Sequence, residues 1–296
     1  MIEKKSNRYA QKIIFNGVFI LLAIACVFPL LLVVSAAFTD ETSLAIEGYK
    51  LWPSKFSLEA FSYIFQSPKQ ILMSYGVTIF VTVAGTIGGL LVTSMLAYVI
   101  ARKDFKFSRV LSFLIFFTLL FNGGMVPSYI MISRYYHLKD TILALILPYI
   151  VIPWHVFLMK GFFADIPMSL IDAAKIDGAR ELCVFFKIIT PVSKPAFATI
   201  GLLTAFTYWN DWWLSMLYID DSKLTSIQYY LYRIMNNIQF LATSMQAGNI
   251  SIDIGNLPNE TARMALCLLA AGPMLVIFPF FQKYFVKGLT VGAVKE

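Results

Sequence analysis

The stretch "IPMSLIDAAKIDGARELCVFFKIITPVSKP", residues 166–195, lies between two long apolar runs and carries seven charged side chains, with Asp165 just before it. Such a segment needs an explanation in a 296-residue chain that is 58% hydrophobic and 14% charged. An ordinary soluble domain is about 25% charged. One or two soluble cores cannot hide this much apolar surface, so the solvent for most of the chain is a bilayer.

Working outward from the stretch, runs without Lys, Arg, Asp or Glu occupy 13–38, 71–101, 110–133, 141–159, 196–219 and 264–282, and only the fifth is interrupted, by Asp211. About 20 helical residues cross a hydrocarbon layer of ~30 Å. Six transmembrane helices in an all-α membrane protein follow. With the N-terminus inside, the inner segments hold sixteen Lys and Arg and the outer ones eight, which accounts for all 24. That asymmetry places both the N- and C-termini in the cytoplasm and makes 166–195 an inner loop. The net charge of +7 is then a topology signal. No basic patch is interleaved with exposed aromatics, so nucleic acid is not an expected partner.

The first run ends in "SAAF", residues 35–38, which imitates a leader-cleavage site. A leader's apolar region is about 7–15 residues long, and this run is far longer, so it reads as a retained helix. Cys26 and Cys267 fall in spans and Cys183 in the inner loop. No disulfide is expected. No metal-ligand spacing, phosphate-cradling loop or nucleophile–base pair stands out, so neither catalysis nor a bound metal or cofactor is expected of this chain.

Within the stretch, Pro167 suits the first turn of a helix, where its missing N–H costs nothing. Leu170, Ile171 and Ala174 form one stripe, and Gly178 supplies a stop, because a left-handed terminal residue is cheapest as glycine. Leu182, Phe185, Phe186 and Ile189 recur at helical spacing, and Pro191 and Pro195 end the second arm. The loop reads as two helices with one apolar face and small residues, Ala173 and Ala174, at its front. Its physics suits docking on another protein and lying flat among headgroups equally well.

A resemblance separates the two. Asp172-Ala173-Ala174, three residues, Gly178, nine residues, Ile188, one residue, Thr190 and Pro191 resembles the EAA signature of bacterial ABC importer permeases. That pattern runs Glu-Ala-Ala, three residues, Gly, nine residues, Ile, one residue, Leu, Pro. Asp172 stands for Glu and Thr190 for Leu, while the spacing holds over twenty residues. The phrases "FTYWNDWW" (206–213) and "QKYFVKGLTVGAVK" (282–295) resemble the MalG-like half of the maltose-type carbohydrate branch, and "FNGGMVPSYIMI" (121–132) is similar to permeases for polysaccharide fragments. The resemblance implies a type I ABC importer transmembrane fold. It also implies a MalF-like second permease, an ATPase dimer that holds ATP and Mg, an extracellular solute-binding protein and an oligosaccharide substrate. Asp172, Ala173, Ala174, Gly178, Ile188 and Pro191 would then form the joint that seats in the ATPase. The tail would insert between the two ATPase subunits, with Gly288 and Gly292 letting its backbone pass.

Residues 1–70 read as a first helix with an external loop, 71–283 as the permease core with its coupling loop at 160–195, and 284–296 as a cytoplasmic tail, disordered in isolation. The fifth run carries the candidate substrate path: Tyr208, Trp209, Asn210, Asp211 and Trp212. An ionised Asp near mid-bilayer costs ~2.5–3.5 kcal/mol, so Asp211 should face the bundle interior or water. Aromatic faces beside an amide and a carboxylate suit sugars, whose C–H faces stack while their hydroxyls hydrogen-bond. Tyr and Trp also serve as interface anchors, and helical spacing divides these into a Tyr208/Trp212 pair and a Trp209/Trp213 pair. Asn122-Gly123-Gly124 with Pro127 should open the third span, and Gly85, Gly88 and Gly89 should permit close helix contact. His155 reads as a packing residue near the inner interface. A membrane enzyme using His155 and Asp211 as an acid–base pair, or a permease for amino acids or peptides, are the competing functions. The external segment 220–263 reads as a polar loop broken by Gly248, Gly255 and Pro258.

Overall fold

The computed structural model describes residues 3–246 and 259–293. Its regular structure is helical, apart from an isolated antiparallel bridge between Thr39 and Phe56. Three helices are long and apolar enough to cross a membrane unbroken: Ile14–Ala37, Pro68–Ala101 and Glu260–Phe280. The remaining candidates are bent pairs, Ser108–Leu120 with Met125–Tyr135 at 111°, Ile142–Tyr149 with Pro153–Ala164 at 49°, and Glu181–Val192 with Lys194–Trp209 at 86°. Six spans result when each bent pair is taken as one. The bends have local causes. In the third span Gly124 takes a positive φ of 88°, and its N–H donates to Asn122 Oδ1 at 2.8 Å. In the fourth, Pro153 opens the second helical piece.

Two compact units divide the chain. One comprises Met1–Ser67 with Arg233–Gly272, the other Pro68–Tyr232 with Pro273–Glu296. In the first unit the apolar helix exposes every residue from Ile14 to Leu31, as a segment solvated by lipid does. Its far end enters a small aromatic stack, in which Phe38 lies 4.9 Å from Phe61 and 5.8 Å from Phe56 between ring centroids. Asp40 caps the short helix Glu41–Glu47 by accepting the Ser43 N–H at 3.1 Å. Glu41 in turn caps the last long helix: its carboxylate accepts the Glu260 and Thr261 N–H groups, each at 2.9 Å, and the Thr261 hydroxyl at 2.7 Å. A carboxylate there satisfies amide groups that lack partners in their own helix and complements the helix dipole.

The second unit is built around the second span, Pro68–Ala101, which packs against both the fourth and fifth spans. Its glycines make this possible. A Cβ added at Gly85 would stand 2.5 Å from ring carbons of Tyr208, and one at Gly88 would meet Ile150 at 3.1 Å. Gly89 faces Thr204 and the Ile150 carbonyl. The ring of Tyr208 therefore lies directly on backbone, and its hydroxyl donates to the Ile146 carbonyl at 2.8 Å. His155 is buried, as its packing role requires. Thr204 donates to the Ile200 carbonyl at 2.8 Å, which leaves its oxygen to accept from His155 Nδ1 at 3.1 Å.

Two expectations are corrected. Segment 220–263 is more than a broken loop, because it contains the 20-residue amphipathic helix Ile227–Gln246, with Ile227, Leu231 and Ile238 buried. Gly248, Gly255 and Pro258 lie outside the described residues. The backbone of the last helix runs as Glu260–Ala293 and so takes in residues 284–293 of the tail. Gly288 and Gly292 are part of that helix, where the sequence reading expected no order; their surroundings lie outside what is described.

The Gly85 contact yields a direct test. Gly85→Ala forces the Tyr208 ring or the whole fifth span outward and should cost about 1–3 kcal/mol, as overpacking does. Gly76 lies on the same helix with nothing within 4 Å of an added Cβ, so Gly76→Ala should not lower the thermal midpoint and should raise it slightly, alanine being the better helix former. Thermal unfolding in detergent, followed by size exclusion, measures both.

Candidate functional site

The stretch 166–195 folds as a helical hairpin. Its first arm is Met168–Ile176, and Gly178 ends it with a φ of 80°. The second arm begins as Glu181–Val184 and widens into a π-helical turn at Phe185–Ile189, followed by Thr190–Val192. Thr190 sits where the signature carries leucine, and its hydroxyl donates to the Phe185 carbonyl at 2.9 Å. The widened turn thus gains a side-chain partner that leucine lacks.

Burial separates the residues of the signature. Ile171, Ala174, Val184, Phe185 and Ile189 are buried and join Ala97, Tyr98 and Ile100 of the second span in one core. Ala174 is only 7% exposed, so it does not belong to the exposed front expected of it. The exposed face instead consists of Asp172, Ala173, Gly178 and Pro191, with Leu170, Ile176, Leu182 and Phe186 as apolar neighbours. Ile188 is half-buried. Asp172 makes no ion pair among the described residues, which leaves its carboxylate free to meet an outside group.

Sequence reasoning overlooked the charges beneath the hairpin. Arg102, at the end of the second span, is 8% exposed. It holds Asp104 through two guanidinium nitrogens, Nε and Nη2, and donates from the third, Nη1, to Glu181 Oε2 at 2.8 Å. Lys175 reaches Glu181 Oε1 at 3.0 Å. The Arg102 hydrogen bond holds the Asp104 carboxyl well below the usual carboxylate range, against an opposing effect of burial. For Glu181, burial pushes upward, and the bonds from Lys175 and Tyr98 with the Arg102 charge outweigh it. Both depressed acids stabilise the folded arrangement above their ordinary titration range and lose that contribution as pH falls from there through the lowered range of the folded state, so the cluster is intact at neutral pH. The signal was present in "RKDFKFSR", residues 102–109, which charge counting absorbed into topology.

At the other end of the fifth span the helix Lys194–Trp209 stops, and a new helix runs Trp213–Tyr218. The run is therefore not one helix through 219, and the division of its aromatics by helical spacing fails beyond Trp209. Tyr208 and Trp209 are 2% and 3% exposed, so they pack within the chain and present no surface to a solute in this arrangement. Asn210, Asp211 and Trp212 form the break. Asn210 is exposed, and its side chain donates to the Phe206 carbonyl at 3.0 Å. Asp211 accepts the Tyr149 hydroxyl at 3.0 Å and the Leu214 N–H at 3.2 Å, so its carboxylate both joins the fourth span and caps the next helix. Trp212 stacks on Tyr232 with centroids 4.7 Å apart, and Trp213 meets Trp212 edge-on. His155 and Asp211 bond to different groups, so the acid–base pair of a membrane enzyme is not formed.

The hairpin and the break thus occupy opposite ends of one 16-residue helix, about 24 Å apart along its axis. Residues 89–291 match the family described as "Binding-protein-dependent transport system inner membrane component". The chain belongs to that family. It is 39% identical over 290 residues to the polygalacturonan/rhamnogalacturonan transport system permease protein YtcP of Bacillus subtilis, covering 98% of this chain and 99% of that one. It is 32% identical over 283 residues to the arabinooligosaccharides transport system permease protein AraQ of Halalkalibacterium halodurans, covering 94% of each. A crystal structure of a bacterial ABC transporter involved in the import of the acidic polysaccharide alginate matches with a TM-score of 0.77 at 26% identity, over 92% of this chain and 95% of that one. As a family member, the chain is a multi-pass inner-membrane permease subunit of a binding-protein-dependent ABC importer, and it is a transport component, not an enzyme.

Gly178 offers a test of the hairpin's geometry. Nothing lies within 4 Å of a Cβ built there, so any cost of Gly178→Ala comes from the backbone alone. A left-handed residue with a side chain costs about 1–2 kcal/mol. Gly178→Asn, which tolerates that region better, should recover part of the loss in thermal stability of the purified permease, whereas equal losses would show that the turn is not held left-handed.

Proposed function

We propose that this permease forms half of the translocation path for an oligosaccharide and couples it, through the 166–195 hairpin, to ATP hydrolysis on a separate ATPase dimer. The observation that carries the reading is the placement of the exposed Asp172–Ala173 edge and the Asn210–Trp212 break at opposite ends of a single helix inside the family-matched region. A push passed from the hairpin to Lys194 travels along that helix to the break at its far end. The carbohydrate cargo is supported by the names of the relatives, and by an exposed amide beside a stacked indole, a combination that meets the hydroxyls and C–H faces of a sugar ring. ATP and Mg belong to the ATPase dimer. A MalF-like permease supplies the other half of the path, and an extracellular solute-binding protein delivers the solute.

The exposed part of the hairpin is the seat for the ATPase in this reading, with Ala173 allowing close approach and Asp172 offering a free carboxylate. Ile188, Ala174 and Pro191 shape the arm behind it. The tail with Gly288 and Gly292 is proposed to contact the ATPase dimer.

Reconstituting the whole complex in vesicles and assaying a panel of neutral oligosaccharides, uronic-acid oligosaccharides, peptides and amino acids tests the cargo. Stimulation of ATP hydrolysis by an oligosaccharide is the expected result, and stimulation by peptides or amino acids alone overturns it. Ala173→Trp should lower uptake of the stimulating solute roughly tenfold, the equivalent of about 1.4 kcal/mol, while the subunits still co-purify. Asp172→Asn should weaken association with the ATPase more than Asp165→Asn; equal effects would reduce Asp172 to a dipole role.

A further inference from the structure

The charged cluster under the hairpin belongs neither to the exposed docking edge nor to the helix break, and its geometry is more specific than solubility requires. The hairpin is joined by covalent bonds to the fourth span at one end and the fifth at the other. To the second span it is joined by side chains only. The apolar part of that junction places the Tyr98 ring 5.5 Å from Phe185, centroid to centroid. Contact of this kind is non-directional and allows an arm to pivot. The polar part is directional. The buried Arg102 guanidinium meets four oxygens, those of Asp104, one of Glu181 and the Tyr98 hydroxyl, the last at 2.8 Å. The Tyr98 hydroxyl in turn donates a hydrogen bond to Glu181 Oε2 at 3.0 Å. Lys175 completes the set from the first arm, 3.0 Å from Glu181 and 3.5 Å from Asp104. Two cations face two carboxylates, so the buried charge is compensated within the cluster. Both arms of the hairpin contribute, Lys175 from the first and Glu181 from the second. A planar guanidinium that binds two partners fixes an angle as well as a distance.

We propose that Arg102 is a positioning residue that latches both arms of the hairpin to the second span, so that displacement of the hairpin moves the second span together with the fourth and fifth. The latch rests on the coupling role proposed above. It adds that the second span is a driven element, although 79 residues separate Arg102 from Glu181 in the chain. Without that directional bond the hairpin would meet the second span through apolar contact alone, about which it can pivot.

The test uses the full complex in vesicles, with Cys26, Cys183 and Cys267 replaced by Ser and spin labels at Lys187→Cys on the hairpin and Met95→Cys on the second span. Both labelled positions are exposed. The label-to-label distance is read by pulsed electron resonance with and without magnesium and a non-hydrolysable ATP analogue, in the absence of any solute. With Arg102 present, one narrow distance that nucleotide does not change is expected. Arg102→Gln should lose that single distance when nucleotide is added, and Arg102→Lys, which keeps the charge without the planar fork, should recover it in part. If Arg102→Gln fails to assemble, the isosteric Glu181→Gln, which removes the shared carboxylate, should show the same loss. A narrow, nucleotide-independent distance in Arg102→Gln or, where that variant does not assemble, in Glu181→Gln overturns the latch. Ala173→Trp judges the coupling reading separately, because normal uptake in that variant removes coupling while the distance measurement still decides whether the latch exists.

Discussion

A phenol ring resting on bare backbone sets the geometry of the second unit. Tyr208 approaches the second span so closely that a single methyl at Gly85 would intrude on it, and its hydroxyl is anchored on the Ile146 carbonyl. Three spans are thereby held in mutual register by one side chain. In lipid, apolar surface alone gives helices little reason to associate, so dispersion contact and interhelical hydrogen bonds must do it. Tyr208 supplies both. His155 and Thr204 repeat the arrangement nearer the other end of the same helix.

Because that register is tight, the interruptions in the spans must satisfy their own polar groups. Non-helical backbone at membrane depth survives only where protein or water supplies partners. At the 210–212 break, Asp211 accepts from Leu214 and Tyr149, and its carbonyl accepts the Ser226 hydroxyl at 3.2 Å. Thr78 accepts the Ile227 N–H at 2.8 Å, which fixes the start of the following helix on the second span. The acid that hydropathy marks as an intrusion therefore serves first as an organiser of the break, and the exposed side chains there are those of its neighbours Asn210 and Trp212.

The spans, their glycine contacts and the hairpin were legible in the sequence because each leaves a local mark: length without charge, small residues at helical spacing, and a glycine between two amphipathic arms. What escaped depends on partners distant in the chain. Ala174 and Ala173 are chemically identical and adjacent, and only the way the hairpin packs on the core it shares with the second span decides which one is buried. Tyr208 and Trp209 read as candidates for solute because they are aromatic and amphipathic, and nothing local shows that Gly85 and the Ile146 carbonyl already claim Tyr208. Arg102 looked like one more inner cation. The helix Ile227–Gln246 had a readable signal, apolar residues at 227, 231, 234, 238 and 241, but the glycines and proline beyond it drew attention to the end of the segment.

The Glu41 cap bears on the order in which the chain can be completed. Its carboxylate serves the amide groups of Glu260 and Thr261, which lie 219 and 220 residues further along. A chain made from its N-terminus exposes Glu41 long before either amide exists. For most of synthesis the helix that this carboxylate will cap has not been made. The first unit, drawn from both Met1–Ser67 and Arg233–Gly272, is therefore finished after the middle of the permease has been laid down. In a cell, the Glu41 carboxylate is therefore in place well before the helix end that it caps.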